Sequence, residues 1–240
     1  MTDFRILNST DHKDLRVIEQ YGPEYGDNIH CCPAYTFEFR DLQADFPILL
    51  QEAGDMGMIP VVLMGFEQGE NLCIEDGKWL TLSIPAFMRK GPFAIGEHKP
   101  EGGESVRLLS IDADDPRVST SDGQPLFQPL GGRTDYLENM ANLLEKVYLG
   151  SEDTLAFTRE LVAHNLVESV TVDITLQDGS RNQLMGFHTL NEGGIRDLSG
   201  EQLASFAAAG YLMPMFMMLA SMSNLKRLID RKEQARAQGE

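Results

Sequence analysis

An α+β fold is predicted by three features of the sequence. Between Pro47 and Ile84, "PILLQ", "PVVLMGF", "NLCIE" and "KWLTLSI" form four successive strand-like runs. Between Thr134 and His164, apolar residues recur at helical spacing. Between residues 168 and 190, two further alternating runs bracket a turn. The expected architecture is an antiparallel sheet with flanking helices, and a second β-hairpin packed in a C-terminal helical part. Residues 1–33 read as an irregular segment, 34–131 as a β-rich core and 132–240 as a helical part holding the hairpin 168–190. The alternative is one continuous domain.

The elements follow in order. The first 33 residues are polar, punctuated by Gly22-Pro23 and Cys32-Pro33. In "TFEFRDLQADF", Phe39, Leu42 and Phe46 lie on one face of a short helix that Pro47 stops. Asp76-Gly77 separates the last two of the four strand-like runs. It predicts a tight hairpin, because glycine tolerates the positive φ such a turn needs. A two-residue loop would set Glu75 opposite Lys78. "SVRLLSID" is a further strand, and "ADDPRVSTSDGQPLFQPLGG" a long turn-rich crossing whose acid pair Asp114-Asp115 reads as solvated.

Thr134 is the expected N-cap of a helix carrying Leu137, Met140, Ala141, Leu144, Val147 and Tyr148, with Gly150 as its stop. A second helix is expected from Ser151, with Glu152 and Asp153 in its first turn and His164 in its last, each suited to the helix dipole. In "SVTVDITLQ", Val170, Val172, Ile174 and Leu176 share a face; "DGSRN" turns the chain and "QLMGFHTL" returns it. Ser199 with Gln202 is a capping-box pattern for a helix ended by Gly210. A final helix opens near Leu212, tolerates Pro214 in its first turn, and continues into the charged tail.

Composition narrows the function. A chain of 240 residues with 42% hydrophobic content can bury a full core. Its net charge of −17 argues against nucleic acid and against anionic membrane surfaces. Three cysteines, Cys31, Cys32 and Cys73, do not make a disulfide framework. The opening "MTDFRILNSTDHKDLR" lacks a basic stretch followed by an apolar run, so a cytoplasmic protein is expected. From Gln202 to Leu225 no residue is charged, a length that could span a bilayer. Gly210 and Pro214 interrupt it, and a buried helix pair without membrane insertion is expected instead.

No P-loop, GxGxxG, HExxH, GxSxG or CxxC motif occurs, so no catalytic residue, cofactor site or metal site is assigned. His30-Cys31-Cys32 with Cys73 is the most metal-like grouping. Neighbouring residues of an extended chain point to opposite sides, however, and packed thiols explain it better. His188, between Phe187 and Thr189, reads as a half-buried histidine with a local partner. The remaining candidate is a basic and aromatic rim of Trp79, Phe87, Arg89, Lys90 and Phe93, stiffened by Pro85 and Pro92. An arginine there could clamp a carboxylate.

The same stretch carries a family resemblance. Met64-Gly65, Gly69-Glu70-Asn71-Leu72, Gly77-x-Trp79, Ile84-Pro85-Ala86, Arg89 and Pro92-Phe93 resemble the signature of the SapC family, bacterial proteins named for an association with S-layer protein export. Glu38-Phe39 with Phe46-Pro47, "DGQPLF" and "GYLMPMFMMLASMSNLKRL" resemble its upstream and later elements, so the match runs over about residues 35 to 230. Met88 and Gly91 depart from the pattern. The resemblance brings no catalytic residues. It implies a non-catalytic accessory protein that binds a protein or peptide partner, with a link to surface-protein export. The alternative is an enzyme, or an enzyme's partner, modifying peptides or small molecules alongside halogenase- or hydroxylase-like proteins. The Met-rich helix 212–229 is expected to be enclosed by the core of its own chain; the alternative is that its second face meets another copy, giving a homodimer, or a partner helix. There Leu212, Met215, Phe216, Leu219, Met222, Leu225 and Ile229 form one stripe, and Met213, Met217, Met218 and Ala220 cover much of the rest.

Overall fold

The computed structural model describes residues 3–98, 103, 106–175 and 181–239. The class is α+β with antiparallel sheets. Two compact units emerge, each discontinuous in sequence, rather than consecutive segments divided near residues 33 and 131. The first comprises the chain up to Asp27, Asp76–Lys78 and Ala86–Leu149; the second comprises Asn28–Glu75, Trp79–Pro85 and the chain from Gly150 onward.

In the first unit the strand Val106–Asp112 lies between Phe4–Ile6 and Phe93–His98, with Phe4 opposite Asp112 and Phe93 opposite Ile111. A second small sheet sets Arg16–Val17 between Val118–Ser119 and Gln124–Pro125. The polar N-terminal segment therefore supplies strands, which its composition concealed. Val17, Phe93, Ile111, Leu126, Leu137 and Leu144 belong to the core of this unit. Gly123, at φ +97°, allows close backbone approach: a Cβ there would run into the Val17 carbonyl.

The second unit is built on a five-stranded sheet in the order Val167–Thr175, Arg181–Leu190, Ile48–Glu52, Met58–Leu63, Cys31–Pro33. The hairpin 168–190 thus extends this sheet, through Phe187 opposite Gln51 and His188 opposite Leu50. Of its predicted turn "DGSRN", Arg181 and Asn182 belong to the returning strand, while residues 178–180 and Leu176 fall outside the described residues. Phe39, Leu42 and Phe46 are fully buried, as their spacing predicted, and Phe39 meets Phe157 edge to face at 6.3 Å.

The Asp76-Gly77 turn is present. Asp76 and Gly77 take φ of 49° and 75°, the left-handed pair of a tight hairpin, between strands Ile74–Glu75 and Lys78–Trp79. Those strands are shorter than expected. Asn71 Oδ1 draws the Cys73 N–H into a turn at 3.0 Å, and Leu82 stands almost wholly in solvent.

Two helix expectations are corrected. A single helix, Asp135–Ala163, runs through Gly150. Gly150 is there for space: a Cβ would lie 2.5 Å from the Phe37 ring. Thr134 caps the helix by accepting the Leu137 N–H at 3.3 Å. Asn165, at φ 57°, ends it. Conversely, the expected final helix is two, Leu212–Ser221 and Asn224–Gly239. Ser221 Oγ donates back to the Met218 carbonyl at 2.6 Å and accepts the Ile48 N–H at 2.8 Å. Asn224 Nδ2 donates to the Gln43 and Phe46 carbonyls at 2.9 and 3.2 Å. These bonds serve the neighbouring strand and turn at the expense of helix continuity. The buried face is then Met215, Met218, Ser221, Asn224 and Leu228, while Met213 and Phe216 are exposed. The capping box of Ser199 with Gln202 and the positive φ of Gly210 stand as predicted. Among the described residues no single helix is long and apolar enough to cross a membrane.

Candidate functional site

The predicted rim residues separate by role. Ile84-Pro85 leads into a single helical turn, Ala86–Arg89, ended by Gly91 at φ +51°. One turn presents opposite faces, so Ala86 and Met88 are buried while Arg89 is exposed. Among the described residues Arg89 has no hydrogen bond or ion pair. Lys90 places Nζ 5.1 Å from the centre of the half-buried Phe87 ring, a cation–π contact. Burial lowers the Lys90 pKa, with Arg117 adding to the effect and Asp115 and Asp112 opposing it. Phe93 is not on a rim: it is fully buried and packs 6.1 Å from Tyr136, because it opens a strand whose inner face is core. Trp79 belongs to the second unit, half-buried, with its ring edge-on to Phe46 at 6.3 Å.

Arg89 borders a cleft of about 120 Å³ within the first unit. Its walls come from Val17–Tyr21, from Met88, Gly91 and Pro92, and from Tyr136 and Met140 at the start of the long helix. Arg117, 6% exposed, also lines it and holds the surroundings together. Its Nη2 donates to both oxygens of the buried Asp27 at 2.7 and 2.6 Å, Nη1 reaches Asp115 at 3.4 Å, and Nε donates to the Gln20 carbonyl at 3.3 Å. The guanidinium also lies 5.0 Å from the Tyr25 ring centre. Asp115, read as solvated from its neighbours, is thus a partner of a buried cation. Burial raises the Tyr136 pKa well above that of a free phenol, with Glu19 and Tyr21 adding and Arg117 opposing. The Tyr21 pKa is likewise raised by burial and by Asp27. Both phenols therefore stay protonated near neutrality, as hydrogen-bond donors. Asp27, Arg117, Tyr21 and Tyr136 were missed in the sequence. Asp27 and Arg117 are ninety positions apart, and no local spacing announces such a pair.

Cys32 is buried and Cys31 half-buried on alternating positions of one strand, with Cys31 Sγ 3.6 Å from His30 Nε2. Burial pushes the Cys73 thiol up to about 11, with Arg231 opposing, and Arg231 Nη1 donates to its sulfur at 3.1 Å. Among the described residues no group of three or more His, Cys, Asp or Glu could hold a metal ion. His188 is half-buried, and its Nδ1 has no hydrogen-bond partner among the described residues.

Residues 64–72, which carry part of the family resemblance, form a tight loop within the second unit. A Cβ at Gly65 would lie 2.7 Å from the Glu70 carbonyl, and Gly69 takes φ +85°. Glu70 accepts the Phe66 N–H at 2.8 Å and also pairs with Lys232, which reaches Glu67 at 3.0 Å. No curated protein and no solved structure gives a significant match. The SapC family model matches residues 7–228, nearly the whole chain, and the chain belongs to the SapC family.

Proposed function

We propose that this chain is a non-catalytic accessory protein whose recognition site for a protein or peptide partner is the cleft beside Arg89. One observation carries the reading. Of the positions that bear the family resemblance, Gly65, Gly69, Glu70, Asn71 and Gly77 serve loop geometry, Phe93 is buried in a core, and the half-buried Trp79 packs on Phe46. Arg89 serves neither: it is exposed, without a partner among the described residues, and borders a cleft. An arginine beside apolar and aromatic walls is a common anchor of binding surfaces. The cleft is lined by no Ser, Thr, Cys or His, so no such nucleophile stands beside a base. A bacterial, cytoplasmic setting and a link to surface-protein export belong to the same proposal and rest on the family name.

The test is capture from the native cytoplasm with wild-type and Arg89→Ala protein, read by mass spectrometry. A partner retained by wild type and lost from an equally stable variant supports the proposal. Equal capture by both defeats it. A second copy, if the protein pairs with itself, would sit on the exposed Met213 and Phe216, and light scattering at rising concentration checks that directly.

A further inference from the structure

We infer that the cleft takes the C-terminal residue of a peptide chain, its free carboxylate on Arg89 and its apolar side chain against Ile18, Met88 and Met140. The inference rests on the reading of this cleft as the recognition site, and names its ligand.

Size comes first. A cleft of about 120 Å³ is well below the roughly 300–1,000 Å³ of sites for cofactors and drug-sized molecules. At roughly 30 Å³ per water it holds about four waters, the space of a single apolar side chain. Charge comes next. Arg117 lines the cleft, but its charge is already matched by Asp27 and Asp115. Arg89 is the cleft's one cation with no carboxylate within ion-pair distance among the described residues. A single uncompensated cation fits one carboxylate. It does not fit a phosphate dianion, and Glu19 on the same cleft would repel a second negative charge. A guanidinium accommodates a carboxylate in a two-bond fork.

The remaining polar groups fit the rest of a chain end. Tyr136 keeps its proton, and its hydroxyl has no hydrogen-bond partner among the described residues, so it can donate a second bond to the same carboxylate. Glu19, an exposed acceptor, suits the amide N–H of the terminal residue. Arg89 and Glu19 both stand in solvent, so the preceding chain can leave by that side. An exposed ion pair alone contributes little in water. The apolar wall is therefore required as well, which selects an apolar terminal residue over a bare carboxylate.

Two molecules share this chemistry, a peptide end and a free amino acid, and they are separated by titration followed by NMR. The probes are acetyl-Gly-Gly-Val, -Leu, -Met and -Phe as free acids, the same peptides as C-terminal amides, and free leucine. At least one acid is expected to bind, its amide at least about tenfold more weakly, since a hydrogen bond to a charged group is worth about that factor or more. Arg89→Ala should weaken the acid about tenfold and leave the amide unchanged. Tyr136→Phe, which keeps the ring packed on Phe93, should weaken the acid a few-fold. Equal binding of acid and amide, no effect of Arg89→Ala on the acid, or tighter binding of inorganic phosphate overturns the inference. Tighter binding of free leucine than of every blocked acid overturns it in favour of the amino acid. If no acid binds while Arg89-dependent capture of a partner persists, the inference fails and the recognition site stands. If that capture is also independent of Arg89, both fail.

Discussion

Among the described residues one cation of each unit falls below a tenth exposed, Arg117 in the first and Lys232 in the second, and the two are used differently. In the first, Arg117 spreads its planar guanidinium over Asp27, Asp115 and the Gln20 carbonyl and still faces a cleft. In the second, Lys232 sets a compact charge between Glu67 and Glu70 and ties the final helix to the loop that carries the family signature. Burial alone would lower the Lys232 pKa; the hydrogen bonds it donates to Glu70 and Glu67 reverse that and raise it. A fork-shaped cation can organise several chain segments and keep one face free, whereas an ammonium is spent on its immediate partners. The unit with the arginine has the site, and the unit with the lysine has the clasp.

Removing one partner of each cation's ion pair separates the two most. Asp27→Ala strands a nearly fully buried guanidinium and should lower stability by about 3–5 kcal/mol in urea denaturation. Lys232→Met should cost only about 1–2 kcal/mol, because Glu67 is largely exposed and is rehydrated. Equal losses would show that the two cations do the same job.

The second test uses pH. The Cys73 thiol ionises near 9 when free and at about 11 when folded. Its neutral form is the one the fold accepts. The stability it protects is complete below pH 9 and is lost as pH rises toward 11, by about 2 kcal/mol. Cys32 and Tyr35, both raised by burial, push the same way, and all three belong to the second unit. The single tryptophan, Trp79, is in that unit too, so its emission during urea unfolding at pH 8 to 11 reads the loss. Cys73→Ala should flatten the dependence; an unchanged slope would assign it elsewhere. The smallest effect is at the turn. Gly77→Val forces a β-branched residue to φ 75° and should cost about 1 kcal/mol or more in a thermal melt.

What was legible in the sequence was local. The Asp76-Gly77 turn, the Ser199 capping box, the Gly210 stop and the buried face of Phe39, Leu42 and Phe46 each depend on residues a few positions apart. What was not legible depended on distant partners. Gly150 reads as a helix stop until Phe37 is seen beside it. The break at Ser221 is set by Ile48, and the cleft by Asp27 meeting Arg117. Arg89 was legible as a surface cation because nothing competes for it. Phe93 was misplaced because an aromatic beside a basic pair looks the same in sequence whether it faces water or core.

The sheet order of the second unit has a consequence for synthesis. Ile48–Glu52 has Met58–Leu63 as an early partner, but its other edge waits for Phe187 and His188. Translation proceeds at roughly 5–20 residues per second, so that apolar edge stays open on the nascent chain for on the order of ten seconds. The last residue of the first unit is Leu149, so that unit is complete in sequence well before then. Ile48, Leu49 and Leu50 are all fully buried in the finished protein. Until the late hairpin is made they belong to a strongly apolar strand with one open edge, the kind of surface on which growing chains aggregate or recruit a chaperone.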